Sequence, residues 1–451
     1  MCGVFGVRAP NRDVARLTYF GLYALQHRGQ ESAGIAVSEN GRLTAMRELG
    51  LVPQVFDEGS LSGLKGDLAI GHVRYSTTGG NDWSNAQPLL HHGRERIVAL
   101  GHNGNLVNAE QLREEVGKTL GSTSDSEVIA AMIGDDERPL EEAIAGAMAR
   151  LEGAATVVGL ADGKLFGFRD GHGFRPLVLG RLGDDPVLAS ETCALDLIGA
   201  TVEREIEPGE LVIIGEDVEV VQALPPTPAL CIFEFFYLAR PDTRLDDVEV
   251  HGARVRMGER LAAEVPVEAD LVLPIPDSGT PAAIGFARAS GIPFSEGLIK
   301  NRYVGRTFIQ PEQGMREQGI RMKFNPLAEV EGKRLVVVDD SIVRGSTTRQ
   351  IIQMLFASGA AEVHVRVSSP PVVSPCYYGI DLASEDEMIA SHSTVEEVRE
   401  AIGATSLAYL SLDGLQESTQ RPASLLCRAC LTREYPTRTP LDARKHRFER
   451  V

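Results

Sequence analysis

The chain places a cysteine directly after its initiator methionine. Removal of Met1 would leave Cys2 with both a thiol and a free α-amine, which pairs a nucleophile with a base. The pKa of a free thiol is about 8.5 and that of an α-amine about 7.7 to 8.0, so the amine can accept the thiol proton near neutral pH. The sequence therefore predicts an N-terminal nucleophile, provided that other residues supply the rest of an active site.

Short polar motifs in the same half of the chain contain the groups that such a site would need. They are His27-Arg28-Gly29-Gln30-Glu31-Ser32-Ala33-Gly34, Gly71-His72-Val73-Arg74-Tyr75-Ser76-Thr77, Gly101-His102-Asn103-Gly104 and Thr123-Ser124-Asp125-Ser126-Glu127. Together with Cys2 they offer oxyanion donors, a cation for a carboxylate and an anion for an ammonium group. This set suits hydrolysis of an amino-acid amide, although each motif alone could be a turn.

A second polar group follows a short apolar run in the other half. Leu335 to Val338 lead into Asp339-Asp340-Ser341-Ile342-Val343-Arg344-Gly345-Ser346-Thr347-Thr348, and a helix is predicted directly afterwards. Backbone N–H groups and hydroxyls at a helix start suit a phosphate, and paired aspartates suit sugar hydroxyls or a divalent cation. A helix cap beside solvated acids is the alternative, because Ser and Thr caps are common.

Composition and charge restrict the class of protein. The chain has 451 residues, of which 43% are hydrophobic and 24% charged, as expected for a globular protein of two or three domains. A net charge of −18 disfavours nucleic acid and anionic membranes as partners. The first residues lack a signal-peptide pattern, and no apolar run approaches the ~20 residues of a membrane span, so we expect a cytoplasmic location.

The pattern of the chain predicts two domains, residues 2–228 and 229–451. In the first, short apolar runs and an Asp162-Gly163 hairpin turn indicate antiparallel sheet. Helices are predicted over residues 125–133, 140–151 and 14–26, the last with an apolar side of Leu17, Phe20, Leu22, Tyr23 and Leu25. An α+β layered domain follows from this combination. The proline-rich residues 224–229 predict the linker.

The second domain alternates strands and helices. Apolar runs around residues 271–275, 335–338 and 362–367 are separated by helices predicted from Thr280 to Ser290 and from Thr347 to Ser358. This order is typical of an α/β domain with a buried parallel sheet. Ligands of such sheets bind at the carboxyl ends of the strands, where the paired aspartates lie.

The run from Asp339 to Thr348 resembles the motif with which type I phosphoribosyltransferases bind 5-phosphoribosyl-1-pyrophosphate (PRPP). The resemblance implies that Asp339 and Asp340 hold the ribose hydroxyls with magnesium, and that Gly345, Ser346, Thr347 and Thr348 bind the 5′-phosphate. The segment Pro274-Ile275-Pro276-Asp277-Ser278-Gly279-Thr280 resembles the pyrophosphate loop of that family, with Ser278 near the cation.

The polar segment from Lys300 to Asn325 resembles the flap that closes over PRPP in the same family. Its cationic side chains are Arg302, Arg306, Arg316, Arg321 and Lys323. A solvated basic loop is the alternative for any one of these side chains.

The first 220 or so residues resemble class II glutamine amidotransferases, which are N-terminal-nucleophile hydrolases. The resemblance implies that Cys2 is the nucleophile and that the Asn103 side chain and the Gly104 N–H form the oxyanion hole. It also implies that Arg74 and Thr77 bind the glutamine, Arg74 at its α-carboxylate, and that Asp125 binds the α-amine.

Over nearly its whole length the sequence is similar to the glutamine PRPP amidotransferase family. This implies that glutamine is hydrolysed and that ammonia passes internally to C1 of PRPP, giving 5-phosphoribosylamine at the start of purine nucleotide synthesis. We expect residues near Tyr75 and the flap to line the passage. Feedback by purine nucleotides and a homotetramer are implied by the resemblance alone.

Two other functions are compatible with parts of the sequence. Amidotransferases that aminate sugars or aspartate share the first half, but the run from Asp339 to Thr348 disfavours them. A PRPP-sensing regulator with an inactive amidotransferase domain is disfavoured by the full set of glutamine-site residues.

Four cysteines form a candidate metal site. Cys427 and Cys430 have the C-x2-C spacing that lets two thiolates reach one metal. The contexts of Cys231 and Cys376 resemble cluster-bearing members of the family, which implies that the four hold a structural [4Fe–4S] cluster. Zinc bound by the four thiols, or no metal at all, are the alternatives. Cys193 is expected to be a core residue.

Cluster-bearing relatives often carry a leader before the nucleophile, whereas here only Met1 precedes Cys2.

Overall fold

The computed structural model describes residues 2–75, 82–117, 120–301, 322–382 and 384–439. Thr77 lies outside these ranges, as does most of the predicted flap with Arg302, Arg306, Arg316 and Arg321. Within the described ranges, none of the helices combines the length and apolarity that a bilayer span requires.

Two antiparallel sheets form the centre of the first domain. The seven-stranded sheet has the order Thr201–Glu205, Val178–Leu182, Asp185–Ala189, Gly3–Arg8, Leu68–Arg74, Ser32–Glu39, Arg42–Leu49. The six-stranded sheet has the order Val218–Gln222, Glu210–Ile214, Lys164–Arg169, Gly153–Ala161, Ile97–Leu106, Leu89–His92. The predicted Asp162-Gly163 turn joins two of these strands, with φ of 50° and 70° at its two residues.

The two sheets pack face to face and helices cover their outer faces. Alternate side chains of a strand point to opposite faces. In the first strand, Val4 therefore packs between the sheets, whereas Phe5 and Val7 pack under the helix Val14–Ala24. The helices Asp125–Gly134 and Leu140–Met148 cover the six-stranded sheet. The result is a helix–sheet–sheet–helix arrangement, which confirms the predicted α+β layered domain.

The first helix corrects the predicted apolar side. Phe20 and Tyr23 were expected to face the core, but their exposed fractions are 44% and 53%. Leu22 and Leu25 are buried as expected, and the rest of the buried side carries small residues such as Thr18 and Gly21. A Cβ atom on Gly21 would lie 2.4 Å from the Phe5 ring, so the close approach of helix and sheet requires glycine. The helix ends at Ala24, before the predicted Gln26, and the helix expected to reach Leu151 ends at Met148.

Shorter helices complete the first domain. They are Val52–Val55, Glu58–Gly63, Ala109–Val116, Thr192–Ile198 and the 3-10 turn Trp83–Asn85.

The second domain is built on a parallel sheet, as predicted. Its four strands have the order Leu271–Pro274, Arg334–Asp339, Glu362–Val367, Ser406–Tyr409. In the second of these strands Val336 and Val338 face one apolar core, and Leu335 and Val337 face another on the opposite side. The strand is therefore buried on both faces, as an α/β fold requires. The predicted α/β class is confirmed.

Helices surround this sheet. The longer ones are Val250–Glu264, Thr280–Ser290, Ser346–Ala357, Val395–Ile402 and Leu412–Thr419. Short helical segments are Glu234–Leu238 (a π-helix), Ala328–Val330, Glu385–Glu387, Ile389–His392, Ala423–Leu425 and Ala429–Thr432. The helix predicted from Thr347 to Ser358 begins and ends one residue earlier.

Three two-stranded pairings complete the described structure. They join Leu298–Lys300 with Phe324–Pro326, Arg244–Leu245 with Val248–Glu249, and Leu230–Cys231 with Leu426–Cys427. The last pair is parallel and brings a segment near the end of the chain to the beginning of the second domain.

Candidate active sites

Cys2 lies immediately before the first strand, and only 7% of its surface is exposed. Its thiol contacts the carbonyl oxygen of Tyr75 at 3.7 Å, and its backbone nitrogen donates to Asn103 Oδ1 at 3.3 Å. Its own carbonyl oxygen accepts a hydrogen bond from Arg28 Nε at 3.0 Å. Three separate segments thus hold the main chain and the thiol of this residue.

Strand register places Arg74 beside Cys2. Gly3 pairs with Val73 in an antiparallel ladder, so Arg74 is the residue that stands opposite Cys2. The Arg74 side chain is buried, and its Nη1 lies 3.6 Å from Glu31 Oε2. A buried guanidinium at this place suits the carboxylate of an amino acid.

Asn103 presents a donor beside the thiol. Its Oδ1 atom is engaged by Cys2, whereas its Nδ2 atom is buried and has no hydrogen-bond partner among the described residues. Gly104 follows in the same strand, and a Cβ there would lie 2.0 Å from the carbonyl oxygen of Ala154, so only glycine fits. An amide donor without an acceptor is suited to an oxyanion that forms during the reaction.

Asp125 begins a helix on the other side of Asn103. Its Oδ2 accepts a hydrogen bond from the Leu106 backbone at 2.9 Å, and its Oδ1 lies 3.6 Å from His102 Nδ1. Burial disfavours ionisation of Asp125, but His102 and hydrogen bonds outweigh it and lower the pKa. Asp125 in turn raises the pKa of His102 against the effect of burial. The carboxylate is therefore held ionised, as an ammonium partner requires.

The structure brings the predicted Cys2, Arg74, Asn103, Gly104 and Asp125 into one region. Sequence reasoning assigned no role to His102 or Arg28, although both lie within the motifs that it singled out. The sequence signals that could have pointed to His102 and Arg28 were their positions, next to Asn103 and between His27 and Gly29.

The acidic pair lies at the carboxyl end of the strand Arg334–Asp339. Ser341 Oγ donates to Asp340 Oδ1 at 2.6 Å, and Ser278 Oγ donates to the other oxygen of the same carboxylate. Burial raises the pKa of both aspartates, and the charge of Asp340 raises that of Asp339 further. Two neighbouring buried carboxylates that line a cavity suit a metal ion or hydroxyl donors. The predicted Ser278, Asp339 and Asp340 are thus brought together.

The helix after this pair begins at Ser346, and Gly345 caps it with a φ of 72°. Its first backbone N–H groups have no partner within the helix, as in other anion-binding helix starts. Gly345 to Thr348 line the same cavity as the two aspartates. The loop therefore has the geometry of a phosphate cradle.

A cavity of about 450 Å³ contains the acidic pair and the loop after it, and it extends to the first domain. The second domain contributes the segment from Asp339 to Thr348 together with Ser278 and Phe233, and the first domain contributes His27, Arg28 and Tyr75. Tyr75 Oη also donates to Asp381 Oδ2 at 3.1 Å, across the two domains. Since the carbonyl oxygen of Tyr75 contacts the Cys2 thiol, this residue lies between the thiol and the cavity.

The four cysteines meet where the chain end pairs with the start of the second domain. Cys231 stands opposite Cys427 in the parallel pairing, and Cys430 follows in the next helix. Cys231 and Cys430 belong to one apolar core and Cys427 to a neighbouring one, and Cys376 packs against both. Burial raises the pKa of Cys430, and the charges of the other three thiols raise it further. No three His, Cys, Asp or Glu side chains in the described part of the chain are arranged to hold a metal ion. Cys193 is a buried core residue, as predicted.

The first domain holds a buried thiol beside amide donors, and the second holds an acidic pair followed by a loop with the geometry of a phosphate cradle. These features define a glutamine amidotransferase domain joined to a phosphoribosyltransferase domain. Family comparison agrees: residues 72–197 match the glutamine amidotransferase domain and residues 245–369 the phosphoribosyl transferase domain. The chain is 51% identical to amidophosphoribosyltransferase of Mycobacterium tuberculosis, over 98% of this chain and 87% of the relative. It is 47% identical to amidophosphoribosyltransferase of Bacillus subtilis, over 97% and 94%. The chain therefore belongs to the amidophosphoribosyltransferase family.

Solved structures show the same similarity. Glutamine PRPP amidotransferase from B. subtilis complexed with ADP and GMP superposes with a TM-score of 0.92 at 46% identity, over 98% of this chain and 99% of that one. A second structure, of the allosteric regulatory enzyme of purine biosynthesis, gives a TM-score of 0.94 at 46% identity, over 100% and 99%.

Proposed function

We propose that this protein hydrolyses glutamine at Cys2 and transfers the ammonia internally to C1 of PRPP, giving 5-phosphoribosylamine, glutamate and pyrophosphate. This is the first step of purine nucleotide synthesis. The observation that carries the proposal is the cavity that extends from the acidic pair to Tyr75, whose carbonyl oxygen contacts the Cys2 thiol. The names of the relatives and of the matching structures support the same activity.

In the first half-reaction the Cys2 sulfur attacks the side-chain carbonyl carbon of glutamine. The α-amine freed by removal of Met1 accepts the thiol proton and returns it to the departing nitrogen, so that ammonia leaves and a thioester remains. Asn103 Nδ2 and the Gly104 N–H bind the oxyanion that forms in the attack. Water then hydrolyses the thioester and releases glutamate. Arg74, Thr77 and Asp125 hold the amino-acid end of the substrate.

In the second half-reaction ammonia attacks C1 of PRPP and pyrophosphate leaves. Asp339 and Asp340 hold the ribose hydroxyls, and Gly345, Ser346, Thr347 and Thr348 bind the 5′-phosphate. The buried carboxylates and the Ser278 hydroxyl are oxygen donors of the kind that magnesium prefers. When bound, magnesium supplies positive charge for the leaving pyrophosphate.

The cavity explains why two half-reactions belong to one protein. Free ammonia is mostly protonated near neutral pH, and ammonium has no lone pair with which to attack a carbon atom. Direct transfer along this side of the protein would limit the contact of ammonia with bulk water. Tyr75 lines the cavity, and so do Lys323 and Phe324 from the end of the predicted flap, which supports a passage at this place.

We further propose that Cys231, Cys376, Cys427 and Cys430 hold a [4Fe–4S] cluster with a structural role. All four are free thiols, and Cys376 and Cys231 interact electrostatically with the buried Arg175 guanidinium, a countercharge for thiolates. Four sulfur donors suit such a cluster, which is larger than one ion and needs more widely spaced ligands than zinc does. Iron and sulfide analysis with visible absorption of fresh protein tests this, and colourless protein with one zinc would contradict it.

The remaining proposals concern assembly and regulation. We propose that the two domains meet at residues 228 and 229, and that the chain forms a homotetramer. Purine nucleotides are proposed as feedback inhibitors, because the similar B. subtilis structure contains ADP and GMP. Free thiols suit a reducing compartment, which supports the cytoplasm as the location.

One assay tests the main proposal. Purified protein is given glutamine with and without PRPP and Mg²⁺, and glutamate and pyrophosphate are measured in the same samples. We expect the two products in equal amounts when PRPP is present. PRPP binding without turnover would contradict an enzyme and favour a PRPP sensor.

A further inference from the structure

A group of buried charges joins the two domains. It consists of Arg28, Arg175, Glu191 and Glu234, and each of these side chains has 0% exposure. The first three belong to the amidotransferase domain, whereas Glu234 begins the π-helix Glu234–Leu238 of the other domain. Two guanidinium groups face two carboxylates, and His27 Nε2 also lies 2.7 Å from Glu191 Oε1. Loss of the Glu234 charge would leave guanidinium charge in the interior without its partner.

Glu234 holds Arg28 by two parallel hydrogen bonds. Arg28 Nη2 donates to Glu234 Oε1 at 2.7 Å, and Arg28 Nη1 donates to Glu234 Oε2 at 3.1 Å. Glu191 binds the same Nη1 atom from the other side. A planar guanidinium that is held at both Nη atoms has a fixed orientation.

The fixed guanidinium in turn holds Cys2. The Nε–H group of Arg28 donates to the carbonyl oxygen of Cys2 at 3.0 Å. Once Met1 is removed, Cys2 has a peptide bond on one side only, and its carbonyl is the group of that bond nearest to the thiol. Hydrogen bonding at this carbonyl therefore limits the movement of the nucleophile and of its amine.

Glu234 also lies against the wall of the cavity. Its neighbours Phe233, Tyr237 and Leu238 line the cavity that contains the acidic pair. Arg175 Nη1 donates to Glu234 Oε1 at 3.4 Å, and Arg175 Nη2 donates to the carbonyl oxygen of Tyr378 at 2.6 Å. Arg175 therefore links the Glu234 carboxylate to a second segment of the phosphoribosyltransferase domain.

We propose that Glu234 is a positioning residue for glutamine hydrolysis. It acts through Arg28 to hold Cys2 in the reactive geometry, and it makes this geometry depend on the phosphoribosyltransferase domain. The inference rests on the proposed role of Cys2 as the nucleophile. A residue that only clamps the two domains together would support both half-reactions equally. A positioning residue for Cys2 supports glutamine hydrolysis alone.

The test uses the full chain with Glu234→Gln, a substitution of equal size that removes the charge. Synthesis of 5-phosphoribosylamine from PRPP is measured with glutamine and with ammonia as nitrogen donor. Misplacement of a reacting group by about 1 Å can cost on the order of 100-fold in rate. We expect the glutamine-dependent kcat to fall by about 10- to 100-fold and the ammonia-dependent kcat to change by less than about two-fold. The KM for glutamine should change less than kcat, since the substrate-binding residues remain.

A second measurement reports on Cys2 directly. A diazoketone analogue of glutamine alkylates the nucleophile, and its rate with Glu234→Gln should fall in parallel with the glutamine-dependent rate. Arg28→Lys should show the same selective loss, because one ammonium group does not hold both Glu234 oxygens and the Cys2 carbonyl. Arg254→Lys is the matched control. Arg254 is a buried arginine that donates to the backbone of the same π-helix at Phe235, at 2.7 Å, and just beyond it at Ala239, at 2.8 Å.

We expect Arg254→Lys to leave the ratio of the two activities unchanged. Equal loss of both activities in Glu234→Gln, or an unchanged glutamine-dependent rate, would overturn the inference. If Glu234→Gln does not fold, Glu234→Asp, which keeps the charge but shortens the reach, is judged by the same ratio. Retained glutamine hydrolysis in Cys2→Ala would instead contradict the proposed function itself, so the two failures are distinguishable.

Discussion

Asn103 faces Cys2 with one end of its amide and keeps the other end unpaired. Its Oδ1 accepts a hydrogen bond from the Cys2 backbone nitrogen at 3.3 Å, and its Nδ2 has no partner among the described residues. A buried donor without an acceptor costs free energy. In the proposed reaction this cost is recovered when an oxyanion forms beside the thiol, which is the condition for selective stabilisation of a transition state.

Asn103→Ala should therefore reduce glutamine hydrolysis by about 100-fold or more, which is the typical loss for one oxyanion donor. Ammonia-dependent synthesis from PRPP should remain close to that of the parent. Initial rates with each nitrogen donor measure both effects. Asn108→Ala is the control, because Asn108 lies just beyond the same strand and bonds the backbone of Arg150 and Glu152, away from Cys2. An equal loss in both variants would argue against the oxyanion role.

Cys2→Ala should abolish glutamine-dependent synthesis and leave ammonia-dependent synthesis intact, because only the first half-reaction uses the thiol. Retention of Met1 should have the same effect, since it removes the free α-amine. Mass spectrometry of the N-terminus and rates with each nitrogen donor give the measurements. Ser62→Ala is the control and should keep both activities, because the exposed Ser62 hydroxyl bonds only the Glu58 carbonyl of its own helix. Loss of both activities in a folded Cys2→Ala protein would contradict two separate sites.

Asp340→Asn should lower synthesis with either nitrogen donor. The hydroxyls of Ser278 and Ser341 donate hydrogen bonds to the Asp340 carboxylate. Loss of hydrogen bonds to a charged group costs about 1.5 to 3 kcal/mol, which corresponds to roughly 10- to 100-fold in rate. Pyrophosphate release with ammonia as donor measures the effect. Asp270→Asn is the control, since Asp270 lies at the opposite end of the sheet and bonds the Arg334 backbone at 2.8 Å. A loss confined to glutamine as donor would contradict the assignment.

The buried carboxyl group of Glu205 should make the free energy of unfolding depend on pH. Burial, with a smaller contribution from Asp246, raises the pKa of Glu205 to about 7. The folded state therefore binds more protons than the unfolded state between the ordinary pKa of about 4.5 and about 7, so stability falls as pH rises through this interval. Glu205→Gln does not ionise and should be more stable than the parent at pH 8, by about 3 kcal/mol, at about 1.4 kcal/mol for each unit between the two pKa values.

Thermal unfolding at several pH values tests this expectation. The advantage of Glu205→Gln should shrink towards about pH 5, where the parent is protonated in the folded state. Glu203→Gln is the control on the same strand, because Glu203 is exposed and pairs with Arg181 at 2.8 Å. A Glu205→Gln protein that is less stable than the parent at pH 8 would show that the folded state favours the ionised carboxylate, which would contradict a raised pKa.

Cys430→Ser should remove iron and sulfide and lower the unfolding temperature, because the free energy of binding a structural metal group contributes to folding. Elemental analysis and thermal unfolding measure the two effects. Cys193→Ser changes a thiol of the other domain and should keep the iron. Full iron content in Cys430→Ser would contradict Cys430 as a ligand.

The sequence determined the features that depend on residues close to one another along the chain. The loop from Asp339 to Thr348 joins a strand to a helix, so the order of its residues alone specifies which backbone N–H groups and carboxylates stand together. Alternation of apolar residues similarly predicted the strands and the two fold classes. The position of Cys2 predicted a nucleophile, because its chemistry needs only its own thiol and amine.

Tertiary structure decided what depends on packing between distant segments. Strand register placed Arg74 opposite Cys2, and the close contact of Gly21 with Phe5 turned Phe20 and Tyr23 to the surface. The bond from Arg28 to Glu234 and the cavity between the two domains have no signal in either segment alone. Such contacts form between side chains that only the complete fold brings within reach, so local sequence patterns do not encode them.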